Sequence, residues 1–139
     1  MGTPDEQATV EAVLDTFFAA FATGPDLDER VAALRAVLHP RVTVVRLCGE
    51  PPLVLDLEGF VAPRHALLAS GRLTGFREWR TGGHVEVVGD IASWWGPYAK
   101  EWHEGGVPQT GSGHKGIHLV RDDGRWLVTS VVWDDDPPA

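Results

Sequence analysis

Val10, Val13, Leu14, Phe17 and Phe21 recur at helical spacing and form one apolar stripe near the start of the chain. Thr3 and Glu6 have the spacing of a capping box, and Pro4 takes the first helical position, where its missing N–H costs nothing. Gly24-Pro25 supplies a stop, so a helix is predicted from about 4 to 23. Asp26 and Glu29 then cap a second predicted helix with Val31, Leu34, Val37 and Leu38 on one face, which Pro40 ends. Arg41 to Cys48 is rich in β-branched residues and reads as a strand. It is broken by Gly49-Glu50-Pro51-Pro52 before the short run Leu53-Val54-Leu55. Asp56 can cap a third helix reaching about Ser70, and Pro63 predicts a kink or a late start near Ala62.

From Leu73 the period changes to two. A long strand to Val88, a Gly89-Asp90 turn and a strand from Ile91 to about His103 are expected. A Gly-rich loop from Glu104 to Ser112 then leads into two apolar runs joined by Asp122-Asp123-Gly124-Arg125. An Asp-Gly pair between β-branched runs is a strong hairpin signal, because two-residue hairpin turns need positive φ. Helices followed by strands predict an α+β domain spanning 1–139, with three N-terminal helices on one face of an antiparallel sheet.

Alternation assigns the faces. Pairing about Gly89-Asp90 puts Val85, Val87, Ala92 and Trp94 together, and continuing it adds Tyr98, Lys100 and Trp102. Pairing about Asp123-Gly124 puts Ile117, Leu119, Trp126, Val128, Ser130 and Val132 on the helix side, with Lys115 at the far end. The opposite face then carries His84, Glu86, Ser93, Trp95, His114, His118, Thr129, Val131 and Trp133. Trp95, Val131 and Trp133 would expose a large apolar patch there on a monomer.

The 139 residues are 43% hydrophobic with no apolar run near the ~18 needed to cross a bilayer. No membrane partner is expected. Twenty acidic against twelve basic residues give a net charge of −8, and the basic residues are scattered, which argues against a nucleic-acid partner. Arg30 is the first Lys or Arg, so no secretory or transit segment is expected, and cytoplasmic residence is the default. A single cysteine, Cys48, leaves no internal disulfide and agrees with a reducing compartment.

Three motifs are set aside. Gly111-Ser112-Gly113-His114-Lys115-Gly116 fits G-x-G-x-x-G, but it leaves a loop and enters a strand instead of opening a helix. His114 and His118 would stand about 13 Å apart on a strand, too far to share an ion, so no metal site is assigned. Cys48 follows an apolar strand without an evident base and reads as a packed thiol.

The element order, together with Asp123-Gly124-Arg125-Trp126-Leu127-Val128, resembles the nuclear transport factor 2-like superfamily, particularly its small bacterial SnoaL-like members. That segment is similar to the Asp-Gly-Lys/Arg-Trp-x-Ile turn opening the last strand in many of them. The resemblance covers nearly the whole chain and implies a cone-shaped, curved antiparallel sheet packed against the three helices. The superfamily includes ketosteroid isomerase, scytalone dehydratase, limonene-epoxide hydrolase, polyketide cyclases and noncatalytic association domains, so the fold leaves the chemistry open. It also implies a homodimer built on the sheet face away from the helices.

If the cone is open, Trp94, Tyr98 and Trp102 supply an aromatic wall, and Lys100 and Lys115 hold a carboxylate, enolate or other oxyanion. The ligand would then be a small, partly apolar acid or carbonyl compound, handled without a cofactor by an isomerase, dehydratase or cyclase. Otherwise the aromatic residues fill a core, both lysines snorkel to solvent, and the domain is a noncatalytic binding or dimerisation module. Catalysis needs a base. Glu101, His103 and Asp134 are weighed for it: Glu101 points away from Trp94 and Tyr98 by alternation, and Asp134 to Asp136 read as a solvated charge run. No catalytic residue of the superfamily maps onto this sequence position by position.

Overall fold

The computed structural model describes residues 2–138. Helix α1 spans Pro4–Ala19, and its capping box forms: the Thr3 hydroxyl accepts from the Glu6 N–H at 3.1 Å, and Glu6 reaches back to the Thr3 N–H. The helix stops four residues short of the predicted end because the chain turns to bridge a strand, with Ala22 opposite Arg77 and the Thr23 N–H donating to the Phe76 carbonyl. Phe21 stays buried nonetheless. Helix α2, Leu27–Val37, follows Asp26, whose side chain makes no capping hydrogen bond, and passes directly into strand β1, Leu38–Arg46. The strand therefore starts before Pro40, and the irregular register between Leu38 and Thr43 accommodates the missing N–H.

β2 is Leu53–Leu55, and helix α3 is Leu57–Ala69. The Asp56 carboxylate accepts from the Gly59 N–H at 2.8 Å, so α3 starts at its cap and runs on through Pro63 rather than beginning near Ala62. The predicted long strand is two strands, β3 (Leu73–Arg80) and β4 (His84–Val88). They divide at Gly82-Gly83 because Gly83 lies against β5, Ile91–Glu104, where a Cβ would come within 2.5 Å of the Trp95 carbonyl oxygen. β3 pairs with the second half of β5 and β4 with its first half.

The segment expected to be a loop is strand. β5 turns at Gly105-Gly106 into β6, Val107–Asp122, and the two pair without interruption from Ile91–Val120 to Glu104–Val107. β6 turns in its turn through Asp123 and Gly124, with φ of 51° and 77°, into β7, Arg125–Asp135. The Asp-Gly hairpin thus forms as predicted.

The sheet order is β2-β1-β7-β6-β5-β3, with β4 also on β5. The β1–β7 pairing is parallel, so the sheet is mixed, not wholly antiparallel. β2 and β3 stand at opposite ends of this order yet line one cavity, so the sheet curls around the helices without closing.

The face assignment holds through β4, β5 and β6: Val85, Val87, Ala92, Trp94, Tyr98, Lys115, Ile117 and Leu119 are buried toward the helices. On β7 it reverses part-way. His118 pairs with Ser130 but Leu119 with Val128, leaving Thr129 as an extra residue. This β-bulge flips the alternation, so Val131 and Trp133 point inward, at 1% and 8% exposure, while Val132 is exposed. The expected outer patch of Trp95, Val131 and Trp133 therefore keeps only Trp95.

Candidate functional site

Helix α3 and the inner face of the curled sheet line an open cavity of about 580 Å³. Its apolar wall comes from Phe21, Leu53, Leu55, Leu67, Leu68, Leu73, Phe76, Trp102 and Trp133. Its charged groups are Arg46, Arg64, Arg72, Glu78, Lys100, Glu104 and Asp135. The Thr129 bulge creates much of this arrangement, because it brings Trp133 and Asp135 to the inner face.

Lys100 and Trp102 thus line the cavity. Tyr98 and Lys115 stand one layer behind it, touching residues of the wall. Trp94 packs edge-on against Phe18 with ring centroids 5.6 Å apart and is not part of the wall. Of the three candidate bases, Glu101 forms a surface ion pair with Arg77 at 2.7 Å, His103 is exposed, and exposed Asp134 accepts from the Cys48 N–H at 3.0 Å. Asp135, expected to be solvated with its neighbours, has a side chain only 26% exposed.

Each acidic group on the wall has a cationic partner. Glu78 accepts from Lys115 at 2.8 Å in a pair whose side chains are 9% and 6% exposed. The Lys115 ammonium also sits 4.5 Å from the Tyr98 ring centre and 5.2–5.6 Å from those of Phe17, Phe18, Phe21 and Trp133. An ammonium among ring faces replaces part of its lost hydration with quadrupole attraction. Lys100 donates to Asp135 at 3.0 Å, and the Tyr98 hydroxyl donates to its other oxygen. Arg72 pairs with Glu104 at the rim, at 3.2 Å.

Arg46 and Arg64 are left over, and neither forms an ion pair among the described residues. Arg64 spends one N–H on the Phe60 carbonyl at 3.0 Å, and its guanidinium lies 4.7 Å from the Phe60 ring centre and 4.9 Å from that of Trp133. Burial, reinforced by the charge of Arg46, lowers its pKa, while Glu78 and Asp135 oppose the shift. Sequence reasoning missed Arg46, Arg64 and Glu78, although each continues an apolar repeat on its own element.

Burial disfavours the Asp135 carboxylate, but hydrogen bonds from Tyr98 and Lys100 and the Lys100 charge outweigh it and hold its pKa below the ordinary value. Tyr98 is pushed the other way, by burial first and then by its bond to Asp135, so it remains a neutral donor. A depressed carboxylate pKa contributes stability above its unfolded value and loses it as pH falls through the folded one. The wild type should therefore lose stability below about pH 3.8. Asp135→Asn should flatten that limb in melts recorded across acid pH; an unchanged limb would contradict the assignment.

Histidines and the cysteine stand apart from the cavity wall. His114 is exposed and stacks on Trp95, and His118 meets the Ser130 hydroxyl at 3.0 Å. Cys48 is half-buried, and burial raises its thiol pKa. The G-x-G-x-x-G run lies within β6. Gly113 is required there because a Cβ would come within 2.5 Å of the Tyr98 hydroxyl.

No protein-family model matches this sequence, and no curated protein matches it. Solved structures match over its whole length. A nuclear transport factor 2-like protein of unknown function from Silicibacter pomeroyi shares 19% identity, with a TM-score of 0.68 over 98% of this chain and 100% of its own. The chain has the nuclear transport factor 2-like fold. A putative calcium/calmodulin-dependent protein kinase II association domain from Xanthomonas campestris shares 17% identity, with a TM-score of 0.72 over 100% of this chain and 91% of its own. A ketosteroid isomerase-like protein from Erwinia carotovora atroseptica shares 13%, with a TM-score of 0.67 over 98% of this chain and 100% of its own. At these identities the likeness is one of fold. No helix among the described residues is long and apolar enough to cross a membrane.

Proposed function

We propose that the protein binds a small, partly apolar organic anion, an acid or the oxyanion form of a carbonyl compound, in the cavity beneath α3. The observation that carries this reading is the Arg64 guanidinium, held over two ring faces on a largely apolar wall without a carboxylate partner. A desolvated cation strengthens every interaction with an anion beside it, and Arg offers a planar pair of donors for a carboxylate. A cavity of about 580 Å³ falls in the range of small-molecule sites, ~300–1,000 Å³. Lys100 and Trp102 belong to this site as ligand-contacting residues. Tyr98 and Lys115 support it through Asp135 and Glu78.

Thermal shift of wild type and Arg64→Met against small carboxylic acids, enones, steroids, polyketide fragments and epoxides tests the reading. Carboxylic acids should stabilise the wild type by about 2.7 kcal/mol at a hundredfold excess over Kd, and the variant much less. Failure of every compound to shift the wild type would contradict it. If the ligand is also turned over without a cofactor, Glu78 is the base in position. It lies on the wall, and only one of its oxygens has a partner among the described residues.

A second reading, association into a homodimer, is favoured by the outer sheet face. Trp95 and Val132 pack from either side over Gly116, where a Cβ would lie 3.0 Å from the indole and 3.3 Å from Val132. Trp95 is 62% exposed, and exposed Ile91 and Val88 pair at the end of the same sheet region. Trp95→Asp should halve the mass measured by light scattering. A mass unchanged from wild type would contradict an interface on this face.

A further inference from the structure

We propose that the anion recognised in the cavity carries two negative charges on one compact head, a geminal dicarboxylate or a phosphate monoester, gripped between Arg46 and Arg64 with its apolar part toward α3 and β3. This rests on the small-anion reading above and narrows it.

The two arginines reach one place from different elements. Arg46 is the last residue of β1 and stands beside Trp133 in the parallel ladder with β7. Neighbouring residues of adjacent strands share a face about 4.8 Å apart, so Arg46 projects inward next to the Trp133 indole. Arg64, on α3, covers the same indole at 4.9 Å from its centre. Trp133 thus has Arg64 over its ring and Arg46 as its neighbour in the ladder, and both arginines lie on the cavity wall.

Their charges are not spent elsewhere. Glu78, Asp135 and Glu104, the acidic groups on the wall, are taken by Lys115, by Lys100 with Tyr98, and by Arg72 respectively. Holding two like charges together in a half-buried site costs folding energy, and the charge of Arg46 disfavours the charged form of Arg64. The arrangement is compensated when a ligand brings two negative charges. A monoanion compensates one guanidinium and leaves the charge of the other unmatched.

The remaining wall sets the other end of the ligand. Leu67 and Leu68 of α3, Leu73 and Phe76 of the β3 edge, and Trp102 of β5 offer apolar surface on the same cavity wall. The recognised class is therefore a small dianion with one compact hydrophobic group.

Calorimetric titration of the wild-type protein with phenylacetate, phenylmalonate and phenyl phosphate at pH about 8 tests this. That pH lies above the ~6 second ionisation of a phosphate ester. All three probes carry the same ring, so only the head differs. At least one of the two dianions should bind about tenfold or more tightly than phenylacetate, and which one does so identifies the head. Arg46→Met should abolish that advantage, bringing the dianion's affinity down to that of phenylacetate for the same variant, while Arg46→Lys should restore part of it. Equal affinity for all three probes in the wild type would overturn the dianion proposal and leave the small-anion reading standing. No binding of any probe would overturn both. The wild-type comparison needs no variant, so it holds even if a substitution unfolds the chain.

Discussion

Lys115→Met is expected to cost about 3–5 kcal/mol of stability, because it leaves the Glu78 carboxylate buried without its cation. The ammonium has no replacement: five aromatic rings surround it, and water reaches 6% of its side chain. A loss of this size should lower the melting temperature by roughly 10 °C or more. Removing both charges is a different matter, since a buried ion pair replaced by apolar groups of similar volume is often neutral or stabilising. The double variant Lys115→Met with Glu78→Leu should therefore recover most of the loss in denaturant melts. Additive losses would show that Lys115 acts through packing alone. The same pair explains why Lys115 is a poor probe of ligand binding: its substitution perturbs folding before it perturbs the cavity.

Trp94→Ala should destabilise by about 3–5 kcal/mol while leaving the cavity wall intact. The indole is 1% exposed, meets Phe18 edge-on, and has two glycines packed on it. A Cβ at either Gly83 or Gly96 would lie 2.7 Å from the indole, so the strand break and this tryptophan fit each other. Truncation leaves a void that the crossing of β4, β5 and α1 cannot fill by collapse. The check is a chemical denaturation midpoint beside ligand affinity: the midpoint should fall and affinity should stay within a few-fold among molecules that remain folded. Lost affinity at full occupancy of the folded state would place Trp94 in the binding site.

Most of the fold was legible because local signals and tertiary context agree. The Thr3–Glu6 box, the Asp56 cap and the Asp123-Gly124 turn form where their chemistry puts them. The β4–β6 faces follow from alternation, since the β5–β6 ladder carries no irregularity, even at Pro97. The β7 face did not follow. Trp126 to Trp133 is apolar at both parities, so alternation has no power to locate the bulge at Thr129, and every residue after it changes side.

Glycines misled in the opposite sense. Gly111 and Gly113 suggested a loop, whereas they are strand residues crossed by the side chains of Lys100 and Tyr98. Gly82-Gly83 marks a true break between β3 and β4, where the run of strand-forming residues predicts one continuous strand. The cavity depends on residues more than sixty positions apart in sequence, which no local period reports. A partial signal existed nonetheless. Arg64 falls between Phe60 and Leu68 on the buried stripe of α3, Arg46 follows Val42 and Val44 at period two, and Glu78 follows Phe76. Charged residues continuing an apolar repeat are candidates for a site, because burying them costs too much for packing alone.

The most direct test of anion binding in this cavity is a crystal structure of the wild-type protein soaked with the carboxylic acid that most raises its melting temperature. The expected result is density beneath α3, with the carboxylate in hydrogen-bond contact with the Arg64 guanidinium and the apolar part against Phe76 and Trp102. A ligand bound only on the outer sheet face, or a cavity holding water alone at saturating ligand, would contradict it.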